Sequence, residues 1–110
     1  MEHKTNWIPI QSLAQLKEIE LASMNETVLL FKHSTRCGVS KMVLKQFENE
    51  YKPKPSEKTY YLDLLNHRDI SNEIAIRYGV EHQSPQLILI KGGEVIYHAS
   101  HEGISARDMQ

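Results

Sequence analysis

The chain has 110 residues and a formal net charge of −1, with 40% hydrophobic and 25% charged residues. This length predicts one domain over residues 1–110, and the composition is ordinary for a globular protein. The near-neutral balance gives no electrostatic reason to expect nucleic acid or an anionic membrane as a partner. No run approaches the roughly 20 apolar residues of a membrane span, and the first residues lack a signal-peptide core.

The first part of the chain alternates strand and helix patterns. Residues 7–10 predict a short edge strand, the sheet position that tolerates the proline they contain. Ser12 and Gln15 have the spacing of a capping box, which predicts a helix to about Ala22. The apolar residues 28–31 predict a buried central strand.

A second helix and another strand follow. From Gly38 onward, apolar residues recur every four positions, which predicts a helix to about Tyr51. Pro53 and Pro55 forbid its continuation. Residues 59–64 are rich in β-forming side chains and predict a strand.

The last third predicts a helix and then a hairpin. Asn66 is a candidate cap for a helix that begins near His67, and Gly79 is typical of the position after a helix end. Strands predicted at Gln86–Lys91 and 94–99 flank a two-glycine turn.

With a short final helix from Gly103 onward, the predicted order is β-α-β-α-β-α-β-β-α. This order predicts an α/β fold with a central mixed β-sheet flanked by helices. Ligands of open α/β sheets bind beyond the C-terminal ends of the strands. Cys37 falls just beyond one of these ends.

Cys37 is the only cysteine of the sequence, and it lies where the strand pattern gives way to the helix pattern. A helix N-terminus has free N–H groups and the positive end of the helix dipole, which with the adjacent Arg36 favour a nucleophilic thiolate. A small buried hydrophobe is the alternative, but the neighbours Ser34, Thr35 and Gly38 are not typical of a core. A lone cysteine permits no internal disulfide, which predicts a reducing compartment and therefore a cytoplasmic protein.

The chain resembles the thioredoxin superfamily over essentially its full length. The resemblance rests on the cysteine between strand and helix, on Arg-Tyr-Gly-Val at 77–80 before Ser84 and Pro85, and on Lys-Gly-Gly-Glu-Val at 91–95. It implies a thioredoxin-like fold. It also implies that the Ser84–Pro85 bond is cis and that Pro85 lies beside Cys37, where its backbone edge would pair with a bound peptide or thiol.

Within the superfamily, the chain resembles the monothiol bacilliredoxin family. Members carry Lys-His-Ser-Thr before the cysteine and a serine three residues after it, as found here from Lys32 to Thr35 and at Ser40. Gly38 departs from the family's usual proline. The resemblance implies a thiol–disulfide oxidoreductase without a tightly bound cofactor, which takes bacillithiol as co-substrate and removes it from bacillithiolated client proteins.

Ser40 occupies the position of the resolving cysteine in dithiol oxidoreductases, on the same helix face as Cys37. Because serine cannot be oxidised, Cys37 would accept a small thiol from a client and wait for another thiol to release it. Ser40 either donates a hydrogen bond to the thiolate or is an ordinary helix serine. Arg36 either pairs with a carboxylate of the incoming thiol or is a surface charge, and Lys32 either gives similar electrostatic support or is solvated.

Two other functions would use the same residues. Residues 37–40 read Cys-Gly-Val-Ser, one side chain from the Cys-Gly-Phe-Ser of monothiol glutaredoxins, which hold an iron–sulfur cluster between two subunits with the help of a small thiol. A catalytically silent thioredoxin-fold adaptor is the third hypothesis. Either a monomer or a weak homodimer fits the sequence. We expect no metal site, because His98 and His101 lack the partners and spacing of metal ligands.

Overall fold

The computed structural model describes residues 6–34, 36–52 and 54–104. Within these ranges the elements follow the predicted order up to the last strand. They are β1 Ile8–Pro9, α1 Gln15–Ser23, β2 Thr27–His33, α2 Gly38–Glu50, β3 Glu57–Asp63, α3 Arg68–Tyr78, β4 Gln86–Lys91, β5 Glu94–Ser100 and a 3₁₀ turn at His101–Gly103.

In the described part of the chain, five strands form one mixed sheet in the order β1-β3-β2-β4-β5. β3 pairs in parallel with β1 and β2, whereas β4 is antiparallel to both β2 and β5. β2 is therefore the central strand, and its residues 28–33 are all buried. The predicted α/β fold with a central mixed sheet is confirmed, and so is the position of β1 at the edge.

Side chains of β2 alternate between the two faces of the sheet. Val28 and Leu30 belong to a core cluster with residues of α1 and α3. Leu29 and Phe31 belong to a second cluster with residues of α2. The helices therefore cover opposite faces, with α2 on one side and α1 and α3 on the other.

The start of α1 differs in part from the prediction. The helix begins at Gln15, with Ala14 as the cap residue and no side-chain cap. The side chain of Gln15 still accepts the Ser12 N–H at 3.0 Å, so the glutamine half of the predicted capping box is present.

The start of α3 also differs. His67, not Asn66, is the cap residue, and α3 begins at Arg68. The predicted capping role of Asn66 is wrong because its side-chain amide donates to the Asp63 carboxylate at 2.7 Å. The end of α3 is as predicted, since Gly79 adopts the left-handed conformation with φ 66°.

The hairpin and the C-terminal residues complete the fold. Gly92 and Gly93 have φ values of 63° and 77°, which confirms the predicted turn between β4 and β5. The final helix predicted from Gly103 onward falls mostly on residues 105–110, which lie outside the described residues. Within the described ranges, no helix is both long and apolar enough to cross a membrane.

Candidate active site

Cys37 lies at the junction of β2 and α2, as predicted. It is the N-cap residue of α2, half-buried, with an extended backbone of φ −95° and ψ 120°. Its N–H donates to the Ser34 carbonyl at 3.2 Å, and its own carbonyl accepts the Lys41 N–H at 3.0 Å. The side chain is therefore held at the N-terminus of a 13-residue helix, where the first backbone N–H groups have no partner within the helix.

Gly38, the first residue of α2, is exposed. A Cβ placed there would meet no heavy atom of the described residues within 4 Å. Proline is common at this helical position, because the N–H that it lacks has no partner within the helix. Packing therefore does not explain why glycine replaces the proline expected from the resemblance.

Ser40 is fully buried, and its hydroxyl contacts the loop that leads to Cys37. Its Oγ accepts the Ser34 N–H at 3.1 Å and lies 2.7 Å from Nδ1 of His33. Since the Cys37 N–H donates to the Ser34 carbonyl, the Ser40 hydroxyl is linked to the cysteine through a single residue. We call His33, Ser34 and Ser40 the Ser40 cluster. The predicted hydrogen bond from Ser40 to the thiolate stays a prediction.

His33 completes this cluster as an uncharged partner. The residue is 4% exposed, and burial lowers the pKa of its ring, although the nearby Asp63 carboxylate opposes the shift. A neutral imidazole has one donor and one acceptor nitrogen, so Nδ1 can bond with a hydroxyl in either tautomer. No local sequence pattern predicts this contact, although His33 belongs to the Lys-His-Ser-Thr run before the cysteine. Thr35, the last residue of that run, lies outside the described residues.

Lys32 precedes His33 but faces α3, on the opposite side of the sheet. The residue is fully buried; its Nζ donates to the Ser71 carbonyl at 3.2 Å and lies 3.4 Å from Nδ1 of His82. Burial lowers the pKa of this amine from 10.5 to about 8. Among the described residues, no carboxylate forms an ion pair with it. The solvated alternative for Lys32 is therefore wrong, and its support of the thiol stays a prediction.

Arg36 and Arg68 meet at an open cleft beside the cysteine loop. This cationic cleft, of about 410 Å³, is lined by Arg36, Leu65, Asn66 and Arg68. Both arginines are exposed, and in the described part of the chain neither forms an ion pair. A smaller cleft of about 80 Å³ shares Arg68 and is lined by Leu64, Arg68, Ser71, Asn72 and His82. Only Arg36 is predicted from the sequence, because no local pattern connects it with Arg68, which is far away in the chain.

The Ser84–Pro85 peptide bond is cis, as predicted. Pro85 is buried, and the next residue, Gln86, pairs with Lys32 in the antiparallel ladder of β2 and β4. The cis bond therefore lies at the end of the sheet from which the chain continues to Cys37. Direct contact between Pro85 and the sulfur, and substrate binding along this edge, stay predictions.

Comparisons with known proteins agree with this architecture. The family model described as monothiol bacilliredoxin BrxC matches residues 8–109. A solved structure with a thioredoxin fold is 29% identical, with a TM-score of 0.78 over 93% of this chain and 88% of that chain.

Two thioredoxins show the same fold at lower identity. The thioredoxin of Malassezia sympodialis is 21% identical, with a TM-score of 0.69 over 100% of this chain and 89% of that one. The thioredoxin of Nicotiana alata is 14% identical, with a TM-score of 0.74 over 99% and 90% of the two chains. The family match spans nearly the whole sequence and includes the strand, the cysteine and the hairpin on which the resemblance rests. The chain therefore belongs to the monothiol bacilliredoxin family, and its fold and function are those of a thioredoxin-like thiol oxidoreductase.

Proposed function

We propose that this protein removes bacillithiol from mixed disulfides on client proteins, with Cys37 as the nucleophile. One observation carries the proposal. The only cysteine of the sequence is the half-buried cap of α2, and the residue three positions later, Ser40, is a buried serine with no thiol to offer. Membership of the bacilliredoxin family supports bacillithiol as the small thiol.

The reaction consists of two thiol–disulfide exchanges. In the first, the Cys37 thiolate attacks the bacillithiol sulfur of the client mixed disulfide. A bond forms between Cys37 and bacillithiol, the bond to the client breaks, and the client cysteine leaves as a thiolate. In the second, the thiolate of a free bacillithiol attacks the same bacillithiol sulfur. This step returns Cys37 as a thiolate and releases bacillithiol disulfide, so free thiol is the reductant for the whole cycle.

The residues around Cys37 support these steps in different ways. The N-terminus of α2 holds Cys37 in place, and Arg36 precedes it in the chain. The Ser40 cluster fixes the Ser34 carbonyl that accepts the Cys37 N–H. The cis Ser84–Pro85 segment would offer backbone groups to an extended client peptide. Because the cycle consumes reduced thiol, we place the protein in the cytoplasm.

The test is transfer of the bacillithiol group, followed by mass spectrometry. Reduced wild-type protein mixed with a bacillithiolated client, without free thiol, should gain one bacillithiol as the client loses it. Cys37→Ser should fold but transfer nothing, because a serine hydroxyl is not a comparable nucleophile at neutral pH. The client alone and the thermal unfolding of both proteins are the controls.

Two outcomes would contradict the proposal. If the client loses its adduct equally fast with Cys37→Ser, the cysteine is not the nucleophile, and the adaptor hypothesis takes its place. If the wild type transfers nothing but becomes coloured and dimeric after anaerobic reconstitution with iron, sulfide and a small thiol, the iron–sulfur hypothesis takes its place.

A further inference from the structure

We propose that the cationic cleft binds the carboxylate-bearing end of the small thiol while its sulfur reacts at Cys37. The inference rests on the proposed function and adds a second contact between the small thiol and the protein. Bacillithiol carries two carboxylates on a malate group at the end remote from its sulfur. A thiol of this shape needs a cationic surface at a distance from the cysteine, on the side from which it enters.

Both arginines of the cleft are free of ion pairs within the described residues. Among the described residues, Arg36 and Arg68 have no carboxylate partner, whereas Arg77 on the same helix as Arg68 pairs with Glu73 at 3.3 Å. Guanidinium groups present paired N–H donors that match a carboxylate, and such pairs are among the stronger hydrogen bonds of proteins. The cleft therefore offers two sets of these donors with no internal competitor bound to them.

Arg68 has an unusual position on its helix for a cation. Arg68 is the first residue of α3, where the helix dipole is positive and a cation is unfavourable. Arg77, in the last turn, has the favourable placement. Since the start of α3 does not gain stability from Arg68, a bound anion is the better reason for a cation there.

Among the described residues, the nearby acidic side chains form no ion pair with these two arginines. Asp63 accepts the Leu65 N–H at 3.2 Å and the Asn66 amide at 2.7 Å, so its carboxylate is bound within the turn. Asp69 is exposed in the first turn of α3 and is not part of the cleft lining. Asn66 is thereby fixed at the rim of the cleft.

More positive charge lies behind Arg68. The smaller cleft reaches His82, whose Nδ1 lies 3.4 Å from the buried Nζ of Lys32. Burial lowers the pKa of His82, and the charges of Lys32 and Arg68 lower it further, which places both cations close to the same ring. Lys32, Arg36 and Arg68 thus lie around the start of α3 and the cysteine loop. These three positive charges attract a dianion, although the net charge of the protein is −1.

The location of the cleft indicates which kind of anion it binds. Arg36 lines this cleft and is the residue before Cys37 in the chain, so the cleft adjoins the reactive cysteine without including it. A ligand that is both thiol and carboxylate occupies both points at once, whereas free phosphate would occupy one. The structure therefore favours a carboxylated thiol over an inorganic anion.

The test compares two disulfides as oxidants of reduced Cys37. Bacillithiol disulfide carries the carboxylates, and bis(2-hydroxyethyl) disulfide carries none. Arg68→Gln should lower the rate ratio of the first to the second by about tenfold, the effect of about 1.4 kcal/mol in binding. Arg77→Gln, at the other end of α3, should leave the ratio unchanged. Higher ionic strength should reduce the ratio for the wild type, because the cleft is open.

An equal loss of both rates in Arg68→Gln would overturn the inference, since it would indicate a general effect on the sulfur. An unchanged ratio would overturn it too. A measurement on the wild type alone covers the case in which the variant fails to fold. Free malate should slow the reaction with bacillithiol disulfide more than chloride does at equal ionic strength. If malate slows the reaction no more than chloride does, the inference is also contradicted.

Failure of this inference is distinguishable from failure of the proposed function. A wild type that accepts bacillithiol from clients but shows no dependence on Arg68 or malate lacks the subsite and keeps the activity. A wild type that reacts with the hydroxyethyl disulfide but never with bacillithiol disulfide or bacillithiolated clients lacks the activity itself.

Discussion

Lys32 and His33 are consecutive, basic and buried, with exposed fractions of 0% and 4%, but their side chains lie on opposite faces of the sheet and have different partners. His33 faces α2 and has a well-matched partner in the Ser40 hydroxyl at 2.7 Å. Lys32 faces α3 and has a carbonyl and an imidazole, with no carboxylate in an ion pair among the described residues. The alternation of β2 alone assigns them to these different surroundings.

The difference teaches what each face of the sheet contributes. A buried histidine becomes neutral at modest cost, so His33 can serve as a fixed polar support beneath the cysteine loop. A buried ammonium keeps its charge up to about pH 8 in this fold and opposes folding below that pH. The α2 face thus holds the loop in place, whereas the α3 face maintains positive charge behind the cationic cleft.

Replacing the buried amine is expected to have the largest effect on stability. Lys32→Met keeps the volume and removes the charge, so the free energy of unfolding at pH 7 should rise by about 3 kcal/mol at most. Below pH 8 the amine is protonated in both folded and unfolded chains, so the full penalty is present. Between pH 8 and 10.5 only the unfolded chain keeps the proton, so the wild type regains stability and the advantage of Lys32→Met shrinks.

Urea unfolding of both proteins across pH 7 to 10 measures this difference. Lys91→Met, at an exposed position on the neighbouring strand β4, is the matched control and should change little. A Lys32→Met protein that is less stable than the wild type at pH 7 would show that the ammonium stabilises the fold, and the contrast between the two faces would be lost.

Removal of a buried hydroxyl from each face gives a smaller effect. Ser40→Ala leaves the Ser34 N–H and the His33 ring without their partner, so we expect a loss of about 2 kcal/mol. Ser71→Ala removes a contact of 3.0 Å with His82, which is exposed and can bond with water, so the loss should be roughly half as large. Equal losses in urea unfolding would mean that the Ser40 cluster is no more constrained than the α3 face.

A substitution at the start of α2 should have the smallest effect on the free energy of unfolding. Gly38→Pro should raise the free energy of unfolding by about 0.5–1 kcal/mol, because it restricts the unfolded chain. Cys37 already has the extended backbone that a following proline requires, and the position has free space. Gly79→Ala is the contrasting control and should destabilise, since φ there is 66°. A less stable Gly38→Pro would show that the start of α2 needs the freedom of glycine.

The order of strands and helices could be predicted because hydrophobic period and chain-breaking residues are local signals. Gln86–Lys91 and the two-glycine turn are examples, as is the junction that holds Cys37. Asn66 shows the limit of such signals. Its side chain has the chemistry of a helix cap, but in the fold it donates to the Asp63 carboxylate three residues earlier.

The environment of the cysteine could be predicted only in part. β2 is buried on both faces, so it has no polar alternation from which the direction of Lys32 or His33 could be read. The contact of His33 with Ser40 spans a strand end, a loop and a helix turn, and Arg68 reaches the cleft from another helix. Such contacts depend on tertiary packing, and no pattern in a single segment encodes them.

The edge strand β1 has a consequence for the behaviour of the protein at high concentration. It has only two residues, and the exposed Pro9 has no N–H to offer a neighbouring chain. β1 itself therefore offers no usable template for strand-to-strand addition, the first step of β-aggregation. At the other side β5 is seven residues long and exposes Ile96, although an irregular register with β4 at Leu89 and Ile90 twists it. Of the two edge strands described, β5 is therefore the longer one and the better template for such self-association.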